Sequence, residues 1–465
     1  ALGQAEAAGL VRFAAADPEP VYRFRHALIQ EAAYDSLLKS DRRRLHREIG
    51  EALEARAPEE AEEQAAVLGL HFERAGEAER GVRYLHLAGR QALRRRAVAE
   101  AKDLLERATR LLDDAPETPE WERRRVEVAI DHVSAIVVGS PLEESLAIID
   151  AARPRAERLG DERLIGLLLA REVGARSLRA MGRHVKRLKA VIAQALEIGE
   201  RLDDPEIRAL PQALYGMMLI REGRRREAVG VLEEAVGLLE QFVVNEASFY
   251  AGELTLALAQ LGDIEAAKRT AARARTLADR SADPLAMTDA DIFEAFVLGA
   301  QGRHEEATAL AARAADTAGA LGEPLCRAMA CWVAGESQLA MERPGPAIEW
   351  LTEATDLASR NDGADVALVT GASLGIARAM SGVDQPTIAE LDTLVEGARA
   401  AGEPMHLALV LMRRAQMSAM FIGDRQAAAA DLAEAMDLFR RLETRPLLEQ
   451  AERMATMLGA GTPAE

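Results

Sequence analysis

The chain has 465 residues, of which 49% are apolar and only 4% aromatic, with 34 glycines and 17 prolines. Apolar content carried by alanine, leucine and valine, beside abundant glutamate and arginine, favours helix and excludes an all-β, a collagen-like or a disordered chain. The net charge is -18, and a diffusely acidic body repels phosphate, which argues against direct nucleic-acid binding by the main part of the chain.

Residues 1–50 stand apart, with eight Lys/Arg against seven Asp/Glu. In residues 1–54, Leu10 to Phe13 and Val21 to Phe24 alternate apolar and polar positions around Asp17-Pro18 and Pro20, which predicts a β-hairpin. Helical periodicity then runs from His26 to Leu38, and again from Arg42 to Ala55 through Leu45, Ile49, Ala52 and Leu53. Arg42-Arg43-Arg44 reads as a solvated or domain-facing basic edge, and the acidic patch from Glu59 to Glu63, after Pro58, as a solvated helix start. No signal peptide is visible and the chain does not begin with Met, so it reads as a segment of a longer polypeptide.

Residues 55–118 predict irregular helical hairpins, with Glu77 to Arg95 and Val98 to Leu112 as one pair, and Thr118-Pro119 opens the next helix. From 119 to 442 a period of about 40 residues takes over. Gly182, Gly223, Gly262, Gly302, Glu342, Gly382 and Gly423 mark a recurring turn at spacings of 39 to 41. Alanines follow five residues later at 228, 267, 307, 347 and 428, and again at 235, 274, 314, 354 and 435. Asp204-Pro205, Asp283-Pro284, Glu323-Pro324 and Glu403-Pro404 suit helix starts, where proline loses only an unpaired N–H. Glycine at the turn permits the left-handed conformation that ends a helix, and small residues let two helices cross closely. One such pair cannot bury its apolar face, so pairs must stack. Arg187, Gln194, Thr387 and Leu394 break the alanine pattern and are expected to widen two pairs. Residues 443–465 predict a capping helix after Pro446 and a frayed tail, as if the chain stops there.

This pattern resembles the tetratricopeptide repeat over roughly residues 119–442. The resemblance implies an all-α, right-handed superhelical solenoid of helical hairpins, with longer helices than the usual repeat of about 34 residues. It also implies a concave groove lined by first-helix residues six and three positions before each turn. Those are Arg176 and Arg179, Met217 and Ile220, Leu256, Phe296, Glu336, Met417 and Met420, among smaller residues, and Trp332 is expected to join them. So apolar a strip is either buried within the solenoid or covered by an apolar ligand or partner helix. Trp332→Ala is expected to weaken partner binding with little loss of thermal stability.

Tyr22 to Leu38, followed by Arg42-Arg43-Arg44-Leu45-His46, resembles the junction after the ATPase module of bacterial STAND-class signalling ATPases. The likeness is strongest to the branch in which a class III adenylate/guanylate cyclase domain precedes the ATPase, and LuxR-type and maltose-regulator-like transcription activators carry a related junction. In that class a winged helix follows the ATPase and a repeat-built sensor follows the winged helix. The resemblance thus makes residues 1–54 the end of a winged-helix domain, the ATPase module of the same polypeptide a partner, and ATP or ADP a ligand of that module. Phe24-x-His26 with Gln30-Glu31 also resembles a motif of NOD-like receptors whose histidine touches the β-phosphate of ADP; carried over, His26 is the nucleotide-sensing residue. The alternative is that His26 caps or packs at the strand–helix junction.

No phosphate loop occurs in the chain, and none of the five lysines follows a glycine in such a context. ATP binding by this segment alone, and any cofactor of its own, are therefore not expected. Gly371 to Gly375 lacks the spacing of a nucleophile elbow, and the eight histidines lie singly, so neither catalysis nor a metal site is expected. Cys326 and Cys331 form neither a CxxC pair nor a disulfide framework, which suits a reducing cytoplasm. The most apolar stretches, such as Leu164 to Ala170, fall far short of the roughly 18 residues that span a bilayer. The residues therefore read as a non-enzymatic cytoplasmic sensor that binds a protein, peptide or small-molecule effector and regulates an ATPase. Its expected output is cyclic-nucleotide synthesis; a transcription activator's sensor and a plain scaffold are the alternatives.

Overall fold

The computed structural model describes residues 2–15, 21–56, 61–95, 97–137, 140–177, 185–361, 363–382 and 388–458. Its packing divides into two units, residues 1–175 and 176–465. Among the described residues no helix is long and apolar enough to cross a membrane.

The first unit opens with α1 (Leu2–Ala7), β1 (Val11–Ala15) and β2 (Val21–Phe24). The strands pair antiparallel, Val11 opposite Phe24 and Phe13 opposite Tyr22, with an irregularity between Phe13 and Ala15. Helix α2 (Ala27–Asp35) buries none of its side chains. It is tied to α3 (Lys39–Arg56) and α4 (Ala65–Ala75) by a polar relay. Tyr34 Oη lies 3.0 Å from His46 Nε2, and His46 Nδ1 lies 3.0 Å from His71 Nδ1. Burial and the nearby Arg74 guanidinium hold both imidazoles below their usual pKa, so the relay is neutral near pH 7. Helices α5 (Ala78–Arg94), α6 (Val98–Asp113), α7 (Pro119–Ile136), α8 (Leu142–Leu159) and α9 (Glu162–Ser177) continue the unit. From α3 to α8 each helix packs on the next, around Phe72, Leu85, Leu105 and Ile136.

The second unit holds α10 (Val185–Arg201), α11 (Pro205–Arg221), α12 (Arg225–Phe242), α13 (Val244–Leu261), α14 (Ile264–Ser281), α15 (Pro284–Ala300) and α16 (His304–Leu321). It continues with α17 (Pro324–Ala340), α18 (Pro344–Arg360), α19 (Ala364–Ser381), α20 (Ile388–Ala401), α21 (Pro404–Met417), α22 (Arg425–Arg441) and α23 (Arg445–Met457). Each helix packs on its successor, and the odd-numbered helices α11 to α21 also pack on one another in series. That is a stack of helical hairpins with the first helix of each pair on the inner layer.

The sequence markers do the mechanical work expected of them. Gly223, Gly262, Gly302, Gly382 and Gly423 all sit at positive φ, and Glu342, in the slot without glycine, is forced to φ 57. The alanines at 228, 235, 267, 274, 307, 314, 347, 354, 428 and 435 are fully buried where helices cross. Asp204 and Asp283 accept hydrogen bonds from the first-turn N–H groups of their helices, whereas Glu323 and Glu403, one methylene longer, do not. The 41-residue spacing from Gly382 to Gly423 is absorbed by a π-helical turn at Ser418–Ile422, which accommodates one extra residue within α21's last turn. Gly182 and Thr387 lie outside the described residues.

Close packing on the inner layer is strictest at Gly252 of α13, where an added Cβ would lie 2.0 Å from Phe293 Cδ2. Gly252→Ala gains helix propensity of about 1 kcal/mol, yet the buried Phe293 ring must move. A net loss of about 3 kcal/mol is expected, read as a lower midpoint in urea unfolding.

The second unit also meets itself. Arg225, at the start of α12, is 2% exposed. It donates from a terminal guanidinium nitrogen to the carbonyl of Leu442 at 2.8 Å and from Nε to Gln260 Oε1 at 2.8 Å. Glu443 accepts from the backbone N–H of Arg226 at 3.3 Å, and Glu403 pairs with Arg221 at 3.4 Å. Gly223 approaches so closely that a Cβ there would lie 2.8 Å from the Arg441 carbonyl oxygen. Helix α23 packs on α13. Stacking from α11 to α22 thus brings the last turns back onto the first.

Candidate recognition face on the inner layer

Because α11, α13, α15, α17, α19 and α21 pack in series, residues spaced three and four apart on each form one inner strip. Met217 and Ile220 on α11, Leu256 on α13, Phe296 on α15, and Trp332 and Glu336 on α17 are half-buried. Met217, Ile220 and Phe296 pack against one core cluster that includes Leu258 and Val297. Further along, the strip sinks: Ile376 of α19 is 1% exposed, as is Met417 at the end of α21, which fills the core beside Leu374 and Ile376. Met417 is therefore core filling and presents no groove surface. Met420, thrown outward by the π-helical turn, is 64% exposed. Arg176, near the end of α9, is half-buried, and Arg179 lies outside the described residues.

A polar bridge closes the sinking part. The Trp332 indole N–H donates to Glu336 Oε1 at 3.3 Å. The Ser373 hydroxyl of α19 donates to the same oxygen. Arg413 of α21 pairs with the other Glu336 oxygen and donates from Nε to Ser373 Oγ at 3.2 Å. Three inner helices are thereby pinned together across 77 residues of chain. Trp332 also packs against three separate core clusters, so its removal cannot spare stability, contrary to the expectation from sequence. Trp332→Ala should cost about 3 kcal/mol, and Trp332→Phe, which keeps most of the ring packing, about 1 kcal/mol by loss of the Glu336 hydrogen bond; thermal melting checks both.

The open part, α11 to α17, carries an acidic group that periodicity at the two chosen offsets did not reveal. Glu253 lies one turn before Leu256 on the same face of α13. Its side chain is half-buried, with Phe249 and Leu256 on the same stripe of the helix. Burial, reinforced by the Asp289 carboxylate, pushes it up to about 7, against the opposing pull of the Arg221 guanidinium. Asp289 of α15 is itself pushed up to about 6 by burial. It accepts a hydrogen bond from the Cys326 thiol of α17 at 3.3 Å, and burial beside that carboxylate raises the thiol's pKa, leaving it protonated. The signal that could have found these residues is positional: Glu253 stands nine before its turn and Arg413 ten, the latter the same offset as Trp332.

His26 sits at the N-cap of α2 in extended conformation, exposed, with no side-chain capping hydrogen bond. Neither capping nor packing therefore occupies it. In the same amino-terminal module Leu10, Phe13, Phe24, Leu28, Leu38 and Ile49 are exposed, an uncommon density of bare apolar side chains. Among the described residues no three His, Cys, Asp or Glu side chains are placed to hold a metal ion.

No family model matches the chain. A curated relative, an uncharacterized protein of Rhizobium meliloti (strain 1021), is 33% identical over 119 residues, which are 26% of this chain and 12% of the relative. Among solved structures, a Rap protein complexed with competence and sporulation factor aligns at TM-score 0.55 and 14% identity, over 74% of this chain and 98% of that one. A signal transduction ATPase with numerous domains (STAND) and a tetratricopeptide repeat sensor, from Pyrococcus horikoshii, aligns at TM-score 0.52 and 15% identity, over 87% of this chain and 58% of that one. At such identities the likeness is one of fold, and the fold of this chain is a tetratricopeptide-like solenoid of stacked helical hairpins.

Proposed function

We propose that this chain is the sensor of a STAND-type signalling ATPase, a non-catalytic cytoplasmic solenoid whose inner face binds an effector. The observation that carries the reading is the open, half-buried strip from Met217 to Trp332 on four successive inner helices, within a fold shared with a STAND sensor and with a Rap protein solved with a bound factor. The hairpin, α2 and α3 are the end of a winged helix, and their exposed apolar residues dock on the ATPase module of the same polypeptide. There His26, exposed at the N-cap of α2, can donate an imidazole N–H to a phosphate oxygen of ADP. Effector binding biases the docked arrangement, and the output is cyclic-nucleotide synthesis by a linked class III cyclase domain. The test is the coding sequence upstream of Ala1 together with nucleotide binding by the full polypeptide. A phosphate loop followed by a winged helix, and ADP affinity lowered about tenfold by His26→Ala, are expected. Absence of any ATPase module would leave a plain scaffold, and a helix-turn-helix output domain would replace the cyclase.

A further inference from the structure

Most carboxylates near the inner layer have found a cation. Glu336 pairs with Arg413 and Glu403 with Arg221. Glu253 does not: it is half-buried and takes part in no hydrogen bond or ion pair among the described residues. Arg221, the cation that acts on it, is already held by Glu403. Among the described residues Asp289 accepts only from the Cys326 thiol. On α13 Phe249, Glu253 and Leu256 form one unburied stripe among buried neighbours, and the charges acting on Glu253, Arg221 and Asp289, lie on the inner helices α11 and α15, so its carboxylate belongs to the inner strip. A half-buried carboxylate without a partner is costly, and such a cost is retained where a ligand relieves it.

We infer that the inner face between α11 and α17 takes a peptide bearing a basic side chain, with Glu253 as its counter-ion and Asp289 as a second acceptor. This rests on the effector-binding reading above and adds the charge class of the effector. Phe249, 37% exposed one turn before Glu253 and edge-on to Phe293, offers a ring face for the cation. Leu256, Met217 and Phe296 offer apolar contacts for flanking residues. That combination fits a peptide rather than a metal ion, since the ligands do not converge as a metal requires.

The probe is a matched pair of N-acetylated, C-amidated heptapeptide libraries over the immobilised chain at pH 8, with retained peptides read by mass spectrometry. One has a central arginine and the other its uncharged isostere citrulline, flanked by random Ala, Leu, Met, Phe and Ser. Enrichment of arginine peptides at least tenfold over citrulline peptides is expected. Glu253→Gln should abolish that enrichment, and Glu349→Gln on the outer α18 should not. Protonation of Glu253, which faces Asp289 and Arg221, should weaken retention at pH 5.5. Equal retention of both libraries, or unchanged enrichment in Glu253→Gln, overturns the cationic assignment while the inner-face reading stands. Retention of neither overturns both. A melting curve of Glu253→Gln verifies that the variant is folded.

Discussion

Arg225→Ala should loosen the contact between the two ends of the second unit and cost about 3 kcal/mol. The guanidinium is 2% exposed and serves the Leu442 carbonyl, at the end of α22, and Gln260 together. Burial is costly enough to push its pKa down to about 10, with the Glu443 carboxylate opposing, so at pH 7 it stays charged. Removing it leaves two acceptors without their donor in a closed place, and each such loss costs about 1–3 kcal/mol. The neighbouring Arg226 makes an exposed pair with Glu443 at 3.3 Å, and Arg226→Ala should cost under about 1 kcal/mol. Hydrogen exchange separates the two. Amides of α23 (Arg445–Met457) should exchange at least tenfold faster in Arg225→Ala and unchanged in Arg226→Ala. Equal, small effects would mean that α23 is held by its apolar packing alone.

Glu253→Gln should stabilise the protein at alkaline pH and do nothing in acid. The folded-state pKa of about 7 lies above the ordinary carboxylate value of 4.5, so folding favours the protonated form. Below about pH 4.5 the group is neutral in both states and contributes nothing. As pH rises towards 7 the unfolded chain releases its proton while the folded chain keeps it, and stability falls; above 7 the penalty is complete. A shift of that size corresponds to at most about 3 kcal/mol. The glutamine variant should therefore melt about 5 °C higher at pH 8 and level with the unaltered protein at pH 4.5. A residue that destabilises its fold and binds the ligand separates the two readouts: the variant gains stability as it loses the arginine peptides. A variant less stable at pH 8 would mean that Arg221 already neutralises Glu253.

The repeat was legible because each marker answers a backbone or packing demand fixed within one hairpin. Among the described residues a left-handed residue ends the first helix of six pairs, and alanine fills the crossing in five pairs whatever lies elsewhere. The return of α22 and α23 onto α11 to α13 was not legible. It depends on the rotation accumulated over successive pairs, and its residues, such as Arg225 and Leu442, stand 217 apart with no local spacing to connect them. The candidate face was half legible. Offsets six and three before the turn fall on Met217, Ile220, Leu256, Phe296 and Glu336, which are half-buried on the inner layer. They also selected Met417, which fills a core cluster with Leu374 and Ile376 of α19. Glu253 and Asp289 escaped because a single acid on an acidic chain carries no pattern; only half-burial on the inner layer makes it unusual. At the amino end, alternation found both strands and periodicity the helix after them, while α1 is a six-residue stretch without the long periodicity that announces a helix.

The self-contact of the second unit joins the start of α12 to the end of α22 beside the inner layer on which the functional reading stands, so its direct test is a distance. Spin labels at Arg226→Cys and Glu443→Cys, with Cys326→Ser and Cys331→Ala removing the native thiols, can be measured by double electron–electron resonance. The labelled side chains should give one narrow distribution below about 25 Å. An open stack of the same helix pairs, advancing about 10 Å per pair, would place them roughly 50 Å apart, and such a distance would contradict that self-contact.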